Sequence, residues 1–309
     1  MAKMTTESHV NRTSENTKTK REYKIRYLLL GFNSELDKIE LDKNIIIRRG
    51  TIDELNDLYK RISLHNVESQ KFIIETEFIS NSDPFNLKEG YLLMDKLNTF
   101  FQIFFNGIFM TAHYLKFMVI DNRYEPIGFS TNTKVSSHFP EYYKIENEYA
   151  LDMNRKWQSY QVKIENRALK IAVNRFLFST QKYDNEDQLI DLMIAFEALF
   201  LDASEKGELS YKLALRSTYL LRMEFDSMAI FDFMKKVYSL RSSIVHGANF
   251  KGNEIKFKEK KLDSKAVVSN LTDLIRVCFQ IIILERQEIE IKSFIDAIDS
   301  EIVASFSSI

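Results

Sequence analysis

The chain has 309 residues, 45% of them hydrophobic and 13% aromatic, which suits two domains and a sizeable core. With 8 Gly and 3 Pro it favours helices over an all-β design, and its single Cys excludes an intrachain disulfide framework and fits a reducing cytoplasm. The formal net charge of −1 gives no overall pull toward nucleic acid, so any RNA binding must rest on local patches.

Residues 1–22 are polar, rich in Thr, Ser, Asn and Lys, and lack the apolar segment of a secretion signal; they are expected to form a disordered tail. Residues 23–139 read as an α+β accessory domain. Strands are predicted over 24–31, 36–49 and 71–79. Thr51-Ile52-Asp53-Glu54 is a capping-box signature that opens a short helix to about residue 62. A helix follows over 91–105, then two strands within 108–129 around a turn-like stretch at 121–126. Phe101, Phe104, Phe105, Phe109 and Tyr114 fall at core spacing. No Gly-rich phosphate loop, nucleophile elbow or dinucleotide fingerprint appears.

Residues 140–309 read as an all-α bundle. A long helix over 141–179, open to a break, precedes helices over 185–203, 209–223, 227–246 and 262–300. Trp157, the only Trp, is expected to pack on the bundle or on the preceding domain. Cys278 reads as core. The longest apolar runs, 189–201 and 277–284, are too short or too interrupted to cross a bilayer, so no membrane is expected as a partner.

The chemistry concentrates at the end of the helix over 227–246. Ile230, Phe233, Met234, Val237, Leu240, Ile244 and Val245 recur at helical spacing, and Gly247 supplies the stop. Arg241 falls near the middle of this apolar stripe and needs a partner, because an unpaired buried charge is costly. Glu197, inside the apolar run 189–201, is the expected partner and is expected to be buried too. The pair reads either as a structural ion pair or as part of a site. His246 falls on the polar face at a helix C-terminus, where the dipole favours positive charge. It reads as a proton-transfer group or as a simple cap.

After the motif, Lys251, Lys256, Lys258, Lys260, Lys261 and Lys265 outnumber three acidic residues. This segment reads either as a basic loop beside a phosphate-handling site or as a solvated connection, and Phe257 either as a stacking platform or as an anchor to the core.

Ile194-Ala195-Phe196-Glu197-Ala198-Leu199-Phe200, followed by Tyr238-Ser239-Leu240-Arg241-Ser242-Ser243-Ile244-Val245-His246-Gly247, resembles the ApeA-like branch of the HEPN helical domains over roughly residues 145–300. The resemblance implies a dimeric bundle of four to five helices. Many such domains are metal-independent endoribonucleases acting in phage defence, toxin–antitoxin or RNA-processing settings. By the resemblance Arg241 and His246 are the catalytic pair and Glu197 the supporting acid, with Tyr238 and Ser242 of the same motif beside them. In the nuclease branches the residue after the Arg is often Asn, Asp or His; here it is Ser242.

The chemistry itself asks for two copies. Attack of a 2′-hydroxyl on the neighbouring phosphate needs a base for the 2′ proton and an acid for the leaving 5′ oxygen. One His cannot serve both at once, and a two-fold dimer supplies two. No cofactor and no metal are expected, since His, Cys, Asp and Glu show no ligand spacing. Expected partners are RNA and a second copy, with a regulatory protein as a further candidate. The alternative is a non-catalytic helical module for dimerisation or partner binding.

Overall fold

The computed structural model describes residues 21–30, 32–62, 72–80, 88–105, 110–120, 123–131, 143–145, 152–250, 255–287 and 290–306. The expected tail at 1–20, Lys251 and Phe109 lie outside the described residues; Arg21 and Glu22, assigned to that tail, open the first strand.

The first half is a six-stranded antiparallel sheet with two helices. Its strands are β1 (Arg21–Leu30), β3 (Lys38–Asp42), β4 (Ile45–Arg49), β5 (Phe72–Ser80), β6 (Met110–Ile120) and β7 (Arg123–Thr131), in the order β3-β4-β5-β1-β6-β7. The single strand expected over 36–49 is instead a hairpin of β3 and β4 turning at Lys43 and Asn44. The stretch 123–126, read as a turn, is strand; Pro126 is tolerated because β7 is the sheet's terminal strand.

Helix α1 (Ile52–Ile62) starts at the predicted capping box. The Glu54 amide donates to Thr51 Oγ1, and the Thr51 amide donates to Glu54 Oε2. Helix α2 is Lys88–Phe104. A short strand β2 (Phe32–Ser34) pairs in parallel with β8 (Tyr143–Ile145), so the sheet region reaches past the expected boundary at 140.

The helical half follows: α3 (Met153–Lys163), α4 (Arg167–Thr180), α5 (Asn185–Phe200), α6 (Leu209–Leu221), α7 (Ser227–Val245), α8 (Ser264–Leu284) and α9 (Ile291–Ser305). The long helix expected over 141–179 is two helices, separated where the Asn166 side chain caps α4. The helix expected over 262–300 is also two, because α9 turns back to pack on α6 and α5.

Helix α8 alone among the described residues has the length and hydropathy of a membrane span. Nine of its residues, Cys278 among them, are buried, and it packs against α2, α3, α4, α5 and α6 as a core helix.

Sheet and bundle share one hydrophobic core. Trp157 of α3 is fully buried edge-on against Phe100 of α2, ring centroids 5.2 Å apart. Phe101, Phe104 and Phe105 belong to the same core; the Tyr114 side chain lies outside the described residues. From the bundle, Arg276 Nε donates to Gln102 O at 3.0 Å and Gln280 Nε2 to Ile103 O at 2.7 Å. Both carbonyls lie in the last turn of α2, where a helix has no internal partners to offer.

Candidate active site

Helix α7 is set at both ends by local chemistry. Asp226 accepts from the Ala229 amide at 2.7 Å as N-cap. At the other end the Gly247 amide donates to Ile244 O at 2.9 Å and the Ala248 amide to Ser243 O at 3.0 Å, with Gly247 at φ +87°. This is the paired closure that lets a left-handed glycine satisfy the last carbonyls. His246 is thereby the C-cap residue, its side chain exposed to solvent.

The helix buries Ile230, Phe233, Met234, Val237 and Ile244. Arg241 lies at the margin of this stripe. Its Nη2 stands 3.7 Å from Glu197 Oε2 of α5, and the two side chains are 26% and 24% exposed. The expectation of a buried pair is therefore corrected: both side chains are partly open to solvent. Arg241 Nε is buried without a hydrogen-bond partner.

Burial pushes the Glu197 carboxyl above the usual carboxylate range, and the Arg241 charge only partly offsets this. Burial and the Glu197 charge likewise push the Tyr238 hydroxyl up. Glu197, Tyr238 and Arg241 thus form one electrostatic cluster, with half-buried Ser242 next to it. His246 lies five residues beyond Arg241, about 7.5 Å further along the helix axis.

The bundle holds a second arginine that sequence reading missed. Arg216 of α6 is 4% exposed and donates five hydrogen bonds: two to Asp299, two to Glu205 and one to Phe200 O, all between 2.7 and 2.9 Å. These contacts hold the Glu205 carboxyl down at about 2. The signal was available, because Arg216 sits on the stripe of Leu213, Ala214, Ser217, Leu220 and Leu221. Arg216 is a saturated structural arginine; Arg241 has one carboxylate contact, at 3.7 Å, and an Nε without a partner.

The basic segment lies elsewhere. Strands β9 (Lys256–Phe257) and β10 (Lys260–Lys261) form a hairpin turning at Lys258 and Glu259. Phe257 is 8% exposed and packs on Phe233, centroids 4.9 Å apart, so it anchors the hairpin to the core. Lys258 Nζ lies 5.6 Å from the Phe225 ring, just before α7 begins. Phe233 is 13 residues from His246, about 20 Å along the helix. Lys256 and Lys258 are exposed, but they stand toward the opposite end of α7 from Arg241 and His246. Of the two readings of this segment, the positions of Lys256 and Lys258 suit a solvated connection.

No group of three or more His, Cys, Asp or Glu able to hold a metal occurs among the described residues. Comparison with protein-family models, with curated proteins and with solved structures finds no match.

Proposed function

We propose that the chain is a metal-independent endoribonuclease of the HEPN class, working as a homodimer whose two Arg241–His246 sets face each other. The observation that carries this reading is the contrast between the two arginines of the bundle. Arg216 has every donor engaged by protein, whereas Arg241 is solvent-reachable, touches one carboxylate at 3.7 Å and has a donor without a partner. A guanidinium left in this state suits a phosphate, which takes two parallel N–H donors.

The reaction balances without a further reagent. One His246 takes the 2′ proton while the 2′ oxygen bonds to phosphorus. The bond from phosphorus to the 5′ oxygen breaks, and that oxygen takes a proton from the second copy's imidazolium. Arg241 neutralises the charge that builds on the non-bridging oxygens. The products are a 2′,3′-cyclic phosphate and a 5′-hydroxyl. Ser242 and the un-ionised Tyr238 offer further donors, and Glu197 positions the guanidinium. The setting that goes with this reading is phage defence or toxin-like growth arrest in the cytoplasm.

A second reading, a non-catalytic helical module, draws on the Glu197–Arg241 contact, which gives Arg241 a partner within its own chain. Arg241→Ala separates the two. As an enzyme, the variant keeps its melting temperature and loses cleavage about 10²- to 10³-fold. As a helical module, the variant loses at most about 1 kcal/mol of stability, and neither it nor the wild type cleaves RNA.

A further inference from the structure

A second candidate site lies at the seam between sheet region and bundle, away from Arg241. A cavity of about 440 Å³ opens between α2 and α4, inside the size range of small-molecule sites, which favour such seams. Its apolar floor includes Ile164, Val173 and the buried Tyr160.

The walls carry an unusual set of groups. Asn98 and Gln102 sit one turn apart on α2, and Asn174 and Gln181 face the cavity from α4 and its C-cap. Each carboxamide presents a donor beside an acceptor. Among the described residues, the side-chain amides of Gln102, Asn174 and Gln181 make no protein hydrogen bond, so their edges are open to a ligand. The Phe178 ring, 49% exposed, also lines the cavity.

Four charged residues line the cavity, Asp95, Lys96, Glu165 and Lys170, and the two cations are not equivalent. Lys96 stands 3.8 Å from Glu165 and so is spoken for. Lys170 is exposed and has no charged partner among the described residues.

An apolar lining, amide edges from both helices, an exposed aromatic face and one cation without a charged partner together point to one ligand chemistry. They suit a flat heterocycle with alternating donors and acceptors that bears a phosphate. We propose that this cavity binds a purine nucleoside monophosphate, its base between the amide walls and its phosphate at Lys170. Such a ligand would touch α2 and α4 together and so tie the sheet region to the bundle. The proposal stands independently of RNA cleavage.

Calorimetric titration of the full chain with AMP and with GMP tests it, with ribose 5-phosphate as the phosphate-only control. Asn174→Leu and Lys170→Glu are the variants, both at exposed positions whose loss leaves the melting curve of the free protein unchanged. Saturable binding of AMP or GMP is expected, weakened about tenfold or more by each variant, the worth of one or two hydrogen bonds. Three results would overturn it: no saturable binding of either nucleotide, an affinity indifferent to both variants, or ribose 5-phosphate binding as tightly as the nucleotides.

Discussion

Glu197 and Arg241 meet at 3.7 Å on facing helices, and neither side chain is fully buried. A pair at that separation, open to water, contributes at most about 1 kcal/mol. Its carboxylate is nonetheless desolvated enough to resist ionisation.

Glu197→Gln is expected to fold with a stability within about 1 kcal/mol of wild type at pH 7. The folded-state value of Glu197 is raised, so folding favours its protonated form. That stabilisation is fully present below the unfolded-state value near 4.5 and is lost as pH rises through the higher folded-state value. The neutral Gln escapes this loss, so wild type gains on the variant as pH falls from 7 to 4. Chemical denaturation at both pH values checks the sign; wild type losing ground on acidification contradicts it.

Arg216→Ala should behave quite differently. Removing a buried arginine that holds two carboxylates costs about 3 to 5 kcal/mol. The Glu205 value is depressed, so its stabilisation is present above about 4.5 and is lost as pH falls toward about 2. Wild type is expected to lose stability across that window. Arg216→Ala, lacking the partner, should show a flatter profile there in thermal melts.

Gly247→Ala meets no steric obstacle, since nothing lies within 4 Å of an added Cβ. The cost is conformational: φ +87° is strained for Ala, by about 1 kcal/mol. Because the same closure places His246, activity should fall with stability, and Gly247→Asn should recover part of both. Melting curves beside cleavage rates decide the matter; an Ala variant as stable as wild type contradicts the account.

Phe257→Ala should cost about 3 kcal/mol, because the ring is buried against Phe233. Lys258→Glu should leave both stability and cleavage near wild type, since Lys258 stands far along α7 from the site. A large loss of cleavage in Lys258→Glu would mean that RNA runs the length of this helix.

The parts of this architecture legible in the sequence are those with local causes. Thr51 and Glu54 announced a helix start, and Gly247 announced a helix end, because capping uses neighbouring residues. Helix α7 followed from its apolar spacing, and the Glu197–Arg241 contact from two charges on apolar stripes. The misreadings have non-local causes. No Gly or Pro occurs between α8 and α9, so the break there carries no local mark and follows from α9 packing on α6. The hairpin at 256–261 turns on Lys258 and Glu259, both at positive φ, where Asn-Gly would have been readable. The burial that sets Arg216 apart from Arg241 depends on Glu205 and Asp299, the latter 83 residues away.

The central claim is that Arg241 and His246 cleave RNA without a metal. It is tested most directly by incubating the purified chain and its His246→Ala variant with total tRNA and rRNA in excess EDTA, then analysing the ends. The account predicts cleavage by wild type alone, leaving 2′,3′-cyclic phosphates and 5′-hydroxyls. Cleavage that persists in His246→Ala, or that EDTA abolishes, would contradict it.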